Sequence, residues 1–151
     1  MRLRPAVPAD ADAVARLLPE SRAAAMPWLA VVHDDPAVRR WTSEVLLPTH
    51  RVTVAEVEGA LVGVCAVAGP EVGQLYVAPG AQGCGVGRAL LDAAKDASPG
   101  RLELWTFARN LRARRFYAAA GFVEVGQTDG AQNEEREPDV RLSWDRPGRP
   151  L

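Results

Sequence analysis

Cysteine is scarce: Cys65 and Cys84 are the only two in 151 residues. Two isolated thiols are too few for a disulfide framework or a cysteine-based zinc site. Lysine occurs once, at Lys95, beside seventeen arginines. That imbalance reads as coding bias, so a single arginine carries little functional weight by itself. The formal net charge is −1, which excludes the basic surface that a general nucleic-acid binder needs. No apolar run approaches the ~20 residues of a membrane span. The longest covers residues 60–68, and another, over 23–32, is broken by Pro27. Residues 1–12 lack the apolar stretch of a signal peptide and carry Pro5, Pro8, Asp10 and Asp12. These absences predict a cytoplasmic protein with no metal, no nucleic-acid partner and no membrane anchor.

What is present is ordinary globular composition, 48% hydrophobic and 25% charged, at a length that suits one core. Arg2 to Pro5 reads as a first strand. Asp10 or Asp12 then caps a helix carrying Ala11, Val14, Leu17 and Leu18, and residues 22–33 read as irregular. Asp35-Pro36 starts a second helix, a capping carboxylate followed by proline, with Val38, Trp41 and Val45 in one stripe and Pro48 as its end. Residues 52–57 and 61–67 form a hairpin about Glu58-Gly59, and residues 72–77 form a third extended run. Val86, Ala89, Leu90, Ala93, Ala94 and Ala97 share one helical face. Leu102, Leu104 and Thr106 mark another strand, and Asn110 opens a helix that Gly121 ends. Two strands, over 122–127 and 139–144, flank an acidic loop. The order β-α-α-β-β-β-α-β-α-β-β predicts an α/β protein with a mixed sheet of six to seven strands and about four helices. One domain is expected over residues 1–145, with a proline-rich flexible tail over 146–151.

The most informative segment is the turn after the extended run over 72–77, Gln82-Gly83-Cys84-Gly85-Val86-Gly87-Arg88. Alternating glycines let main chain approach a ligand and adopt positive φ, and amides opening a helix form a cradle for phosphate. Arg88 stands where a dinucleotide fingerprint needs Gly or Ala, and no Gly-Lys-Ser/Thr follows. The turn, with Val77-Ala78-Pro79 before it and Leu90-Leu91 after it, resembles the acyl-coenzyme A motif of the GNAT superfamily of N-acetyltransferases. Asn110, Ala113, Phe116, Tyr117 and Gly121-Phe122 resemble that superfamily's second signature at matching spacing. The resemblance implies acetyl-coenzyme A as co-substrate. It places the pyrophosphate on the amides of Gly83, Cys84, Gly85, Val86, Gly87 and Arg88 beside Gln82. Pantetheine would lie on the main chain of Leu75, Tyr76 and Val77, in a gap between splayed strands, with Asn110 touching it as well.

Acetyl transfer to an amine needs a site for the amine's proton and a proton for the departing thiolate. The resemblance offers Glu71 as the base and Tyr117 as the acid; His33, Glu134 and Glu135 are the other candidates for the base. Asn110 and Tyr117 are seven residues apart and so face the same side of a helix. A covalent route through Cys84 lacks a nearby base. Trp28, His33, Glu134 and Glu135 are expected around the acceptor, where acidic and aromatic groups suit a cationic amine. The expected reaction is direct attack by a primary amine, of a small molecule or a peptide, in a ternary complex. A homodimer is compatible with the resemblance. The alternative is a non-catalytic acyl-coenzyme A-binding sensor or scaffold.

Overall fold

The computed structural model describes residues 1–148. Seven strands form one sheet: β1 (Arg2–Pro5), β2 (Arg51–Val57), β3 (Ala60–Ala68), β4 (Glu71–Val77), β5 (Arg101–Phe107), β6 (Val123–Thr128) and β7 (Asp139–Asp145). Their spatial order is β1-β2-β3-β4-β5-β7-β6. Every neighbouring pair is antiparallel except β4 and β5, so the sheet is mixed as expected. The β2–β3 hairpin turns on Glu58 and Gly59, both at positive φ, the geometry that matches strand twist in a tight turn.

Successive residues of a strand point to opposite faces, and β3 shows the consequence. Val64 and Ala66 pack with Val14, Leu17 and Leu18 of α1 (Ala11–Ala25) and with Leu46. Cys65 and Val67 pack on the other side with Val86, Leu90 and Leu91 of α4 (Val86–Ala97), in a core that includes Tyr117 of α5 (Leu111–Ala119). Between α1 and β2 runs a continuous helical rod, α2 (Asp35–Trp41), a π-helical segment (Thr42–Leu46) and α3 (Leu47–Thr49). The sheet therefore lies between four helical rods.

Local departures from the sequence reading have physical causes. Helix α1 continues through Ala25 despite Pro19, so only the residues beyond it are irregular. Asp10 does not cap α1; its carboxylate accepts from the Val7 amide at 2.7 Å and pairs with Arg4. The cap of α2 is Asp34, which accepts from the Ala37 amide at 2.9 Å, one residue before the expected Asp35. The π segment adds a residue to the turn and so rotates the helical residues after it. Thr42 and Leu46 become the buried positions, and Trp41 and Val45 are exposed. Pro48 sits inside the last turn rather than ending the helix before it. Arg146, expected to open a loose tail, donates to the Lys95 and Ser98 carbonyls at 2.9 and 2.7 Å. The rest of that expected tail, residues 149–151, lies outside the described residues.

Helix α4 approaches β3 closely because Gly63 has no side chain. A Cβ there would meet Val86 Cγ1 at 2.8 Å and Leu90 Cδ1 at 2.9 Å. Gly63→Val is expected to destabilise the protein by about 1–3 kcal/mol through overpacking, read as a lower urea midpoint at unchanged slope.

Candidate active site

The site begins where two strands part. β4 and β5 share a single registered pair, Glu71 with Glu103, supported by the Glu103 amide donating to the Pro70 carbonyl at 2.8 Å. Beyond it the strands diverge, and a cleft of about 880 Å³ opens between residues 72–76 of β4 and 104–107 of β5. Main-chain groups on a strand edge need partners, so this edge is a template for an extended ligand.

Two carboxylates face each other at the closed end of the fork, and an arginine from the next strand holds them. Arg141 of β7 donates to both oxygens of Glu71 at 2.7 Å and to Glu103 at 2.7 Å. Its guanidinium lies 5.2 Å from the Trp105 ring. Hydrogen bonding to Glu71, the largest cause, raises the Arg141 pKa above its ordinary value. Glu71 is thus occupied at the fork, and it is not among the residues lining the cleft.

At the open end, β4 runs through a 3₁₀ turn (Pro79–Ala81) into the glycine segment and then α4. Gly83 and Gly85 adopt φ of +79° and +82°, and a Cβ on either would meet no heavy atom of the described residues within 4 Å. The left-handed conformation requires glycine or tolerates Asn and Asp, and the free space lies at a helix N-terminus whose first amides lack partners. Gly87 differs: its missing Cβ faces Val77 and Phe116 at 3.5 and 3.6 Å, so it serves helix packing. Gln82 links the turn to the Val77 carbonyl at 3.4 Å and receives Arg112 at 3.2 Å. Arg88 pairs with Asp92 one helical turn on, at 3.2 Å. The exposed Cys84 thiol donates to the Gln82 carbonyl at 3.9 Å.

Asn110 caps α5, accepting from the Ala113 amide at 3.1 Å, and also lines the cleft. Tyr117 lines the same cleft two turns along. Burial pushes its phenol above the ordinary tyrosine value, with Tyr76 and Cys65 adding to the effect. Burial likewise pushes the Cys65 thiol up to about 12, which leaves it an inert core group.

The other half of the cleft lies between the segment joining α1 to α2 and the loop joining β6 to β7. His33 Nε2 meets Glu134 Oε2 at 2.9 Å, and Arg22 donates to Glu135 at 3.2 Å. Arg22 Nε is buried with no hydrogen-bond partner among the described residues. Tyr76 also lines the cleft; its phenol is raised chiefly by burial, against the opposing effect of nearby Arg22. Trp28 does not line the cleft: its ring stands edge-on to Phe107 at 6.2 Å, with Arg109 stacked on it at 4.3 Å. The structure therefore brings Tyr76, Asn110, Tyr117, His33, Glu134 and Glu135 to one cleft, whereas Glu71 and Trp28 are not among the residues that line it. Arg22 and Arg141 were missed from sequence. Their partners lie 113 and 70 residues away, and no local pattern signals such pairs. Among the described residues no group of three or more His, Cys, Asp or Glu could hold a metal ion. None of the described helices is long and apolar enough to cross a membrane.

Three comparisons bear on this arrangement. The family model of the GNAT acetyltransferase domain matches residues 48–124, which span β2 through the glycine turn and α5 into β6. A search of curated proteins finds no match. Among solved structures, a GCN5-related N-acetyltransferase of Rhodopseudomonas palustris superposes with a TM-score of 0.79 at 22% identity, over 95% of this chain and 94% of that one. YncA of Salmonella typhimurium, solved with its cofactor acetyl-CoA, gives 0.75 at 20% identity, over 100% and 96%. PaiA N-acetyltransferase of Thermoplasma acidophilum, in complex with coenzyme A, gives 0.74 at 19% identity, over 95% and 98%. At these identities the likeness establishes the fold.

The Arg141 contacts make a stability prediction. Arg141→Met leaves Glu71 without its guanidinium partner and Glu103 with only Arg101, 3.8 Å away. All three groups are partly exposed, so the expected loss at pH 7 is about 1–2 kcal/mol. Added salt should screen the repulsion between the two carboxylates and shrink the deficit. Chemical denaturation of both proteins at low and high ionic strength checks this; an equal deficit at both would remove the electrostatic account.

Proposed function

The chain belongs to the GNAT acetyltransferase family, and we propose on that footing that it transfers acetyl from acetyl-coenzyme A to a primary amine by direct attack in a ternary complex. One juxtaposition carries the reading. The unpaired edge of β4 leads directly into a glycine turn whose positive-φ residues border free space at a helix N-terminus. An extended pantetheine arm fits the first feature and a pyrophosphate the second. The bound coenzyme supplies an activated thioester. Residues 83–88 offer main-chain donors to its phosphates, and the edge over Leu75, Tyr76 and Val77 offers partners to its arm.

Two of the chain's own groups then manage protons. Tyr117 sits with Asn110 on the cleft-facing side of α5, placed to donate its phenolic proton to the thiolate as the C–S bond breaks. The amine must lose a proton as its nitrogen bonds to the acyl carbon. We assign that proton, through water, to the His33–Glu134 pair, because an imidazole exchanges protons near neutral pH and the pair borders the cleft. Glu71 we assign to the fork, since both of its oxygens bond Arg141.

Three experiments test these assignments. Gly85→Asp suits left-handed backbone and a helix N-terminus, so the protein should fold, while acetyl-coenzyme A affinity falls about tenfold or more through repulsion of phosphate. Gly85→Asn, neutral and similar in shape, should lose much less; calorimetry distinguishes the two. Tyr117→Phe should lower kcat by about 10²-fold with coenzyme affinity unchanged. Because the Tyr117 pKa is raised, its acid form persists at high pH, and wild-type kcat should show no loss from this group below pH ~10. Glu71→Gln should keep kcat at neutral pH within about threefold; a fall of about 10²-fold would return the base role to Glu71. Release of free thiol only when an amine is present separates an enzyme from a binding module.

A further inference from the structure

The acceptor half of the cleft has two unlike walls, and their chemistry narrows the acceptor. Resting on the acetyltransferase reading above, we propose that the acceptor is a small amphipathic primary amine, one ammonium group on an aromatic or branched aliphatic body. The first wall is apolar. Leu29, Val31, Val32, Val38 and Trp41, from the segment after α1 and from α2, line it above the buried Met26. Val31 is 86% exposed and Val32 46%. Adjacent exposed valines beside an exposed tryptophan at a cleft mouth form an apolar surface that a ligand body would cover.

The facing wall is acidic. Glu134, Glu135 and Asp139 line it. Arg22 compensates Glu135, whereas Asp139 is held by the neutral groups of Thr128 and Asn133. Three carboxylates against one guanidinium leave two negative charges when His33 is neutral, and these favour a cation on this side alone. No carboxylate of the segment after α1 or of α2 lines the cleft, so a second cationic centre reaching the valine side finds no partner on that wall. That argues against polyamines and aminoglycosides, whose charges are spread along their length.

Access argues for small size. The walls are tied by two contacts, His33 with Glu134 and Arg22 with Glu135, between segments 101 and 113 residues apart in the chain. These struts leave a compartment for a free small molecule rather than an open trough for a folded protein. The His33–Glu134 contact is solvent-exposed, so an incoming ammonium can compete for Glu134. It is then held beside the imidazole that takes up its proton.

The experiment is thiol release by the full chain at saturating acetyl-coenzyme A, with four acceptors: 2-phenylethylamine, spermidine, kanamycin and a folded lysine-rich protein. Acetyl-coenzyme A binding is measured separately by calorimetry. The proposal expects 2-phenylethylamine to exceed each of the others in kcat/KM by about tenfold or more, from the area its ring covers. Val32→Glu, at an exposed position where folding is not at stake, should raise KM for 2-phenylethylamine about tenfold with acetyl-coenzyme A affinity unchanged. A polycation or the protein used best, or a Val32→Glu variant with unchanged KM, overturns the acceptor class and leaves the acetyltransferase reading standing. Absence of acetyl-coenzyme A binding, or of thiol release with every amine, overturns that reading and the class with it.

Discussion

The site depends on two neighbouring strands that pair once and then separate. β4 and β5 meet at Glu71 and Glu103 and diverge from there. A sheet that closed fully at this place would satisfy its main chain and leave no cleft. The divergence needs a firm pivot, and the side chains at the pivot repel one another. Arg141, reaching across β5 from β7, converts that repulsion into three hydrogen bonds at 2.7 Å. The same pairing engages both oxygens of Glu71. On the reading proposed above, that carboxylate serves architecture, and proton handling falls to side chains that enter from loops.

The open edge would bind little without the turn at its end. Gly83 and Gly85 provide the positive φ that redirects the chain into α4 while leaving free space beside the first helical amides. Gly63 and Gly87 contribute differently, by bringing α4 close to β3 and to Val77 of β4. Helix α4 is thus fixed to the sheet by two glycines, while two others leave open space at its N-terminus. One substitution type therefore has two meanings along a short stretch of chain, packing at Gly87 and, on the proposed reading, ligand access at Gly85.

This division explains what was legible in the sequence. Features encoded within a few residues could be read: the order of elements along the chain, the glycine turn, Asn110 as a cap, and Asn110 and Tyr117 on one helical face. Features that depend on how distant segments meet could not. Glu71 reads as a free carboxylate until Arg141 arrives from 70 residues away. Trp28 reads as a cleft aromatic until it stacks between Phe107 and Arg109. The stripe of Val38, Trp41 and Val45 presumes an unbroken α-helical period, and the π segment displaces it. Arginine abundance hid Arg22 and Arg141, since composition cannot distinguish a clamp from a solvated side chain.

The two halves of the cleft are built from different material, with consequences for how each can vary. On the proposed reading, the half that would face the coenzyme uses main-chain groups of β4 and of the turn, so most side-chain changes there leave its donors in place, and glycine is the residue that cannot be exchanged. The acceptor half uses side chains on the segment between α1 and α2 and on the β6–β7 loop, neither of which pairs in the sheet. Changes at Val31, Val32 or Glu134 alter the chemistry of a wall without moving a strand. The fork must keep its geometry for any acceptor, whereas the walls are free to differ. If the cleft works as proposed, such a construction permits one acyl donor with divergent amine acceptors, because donor binding would be tied to the fold and acceptor choice would not.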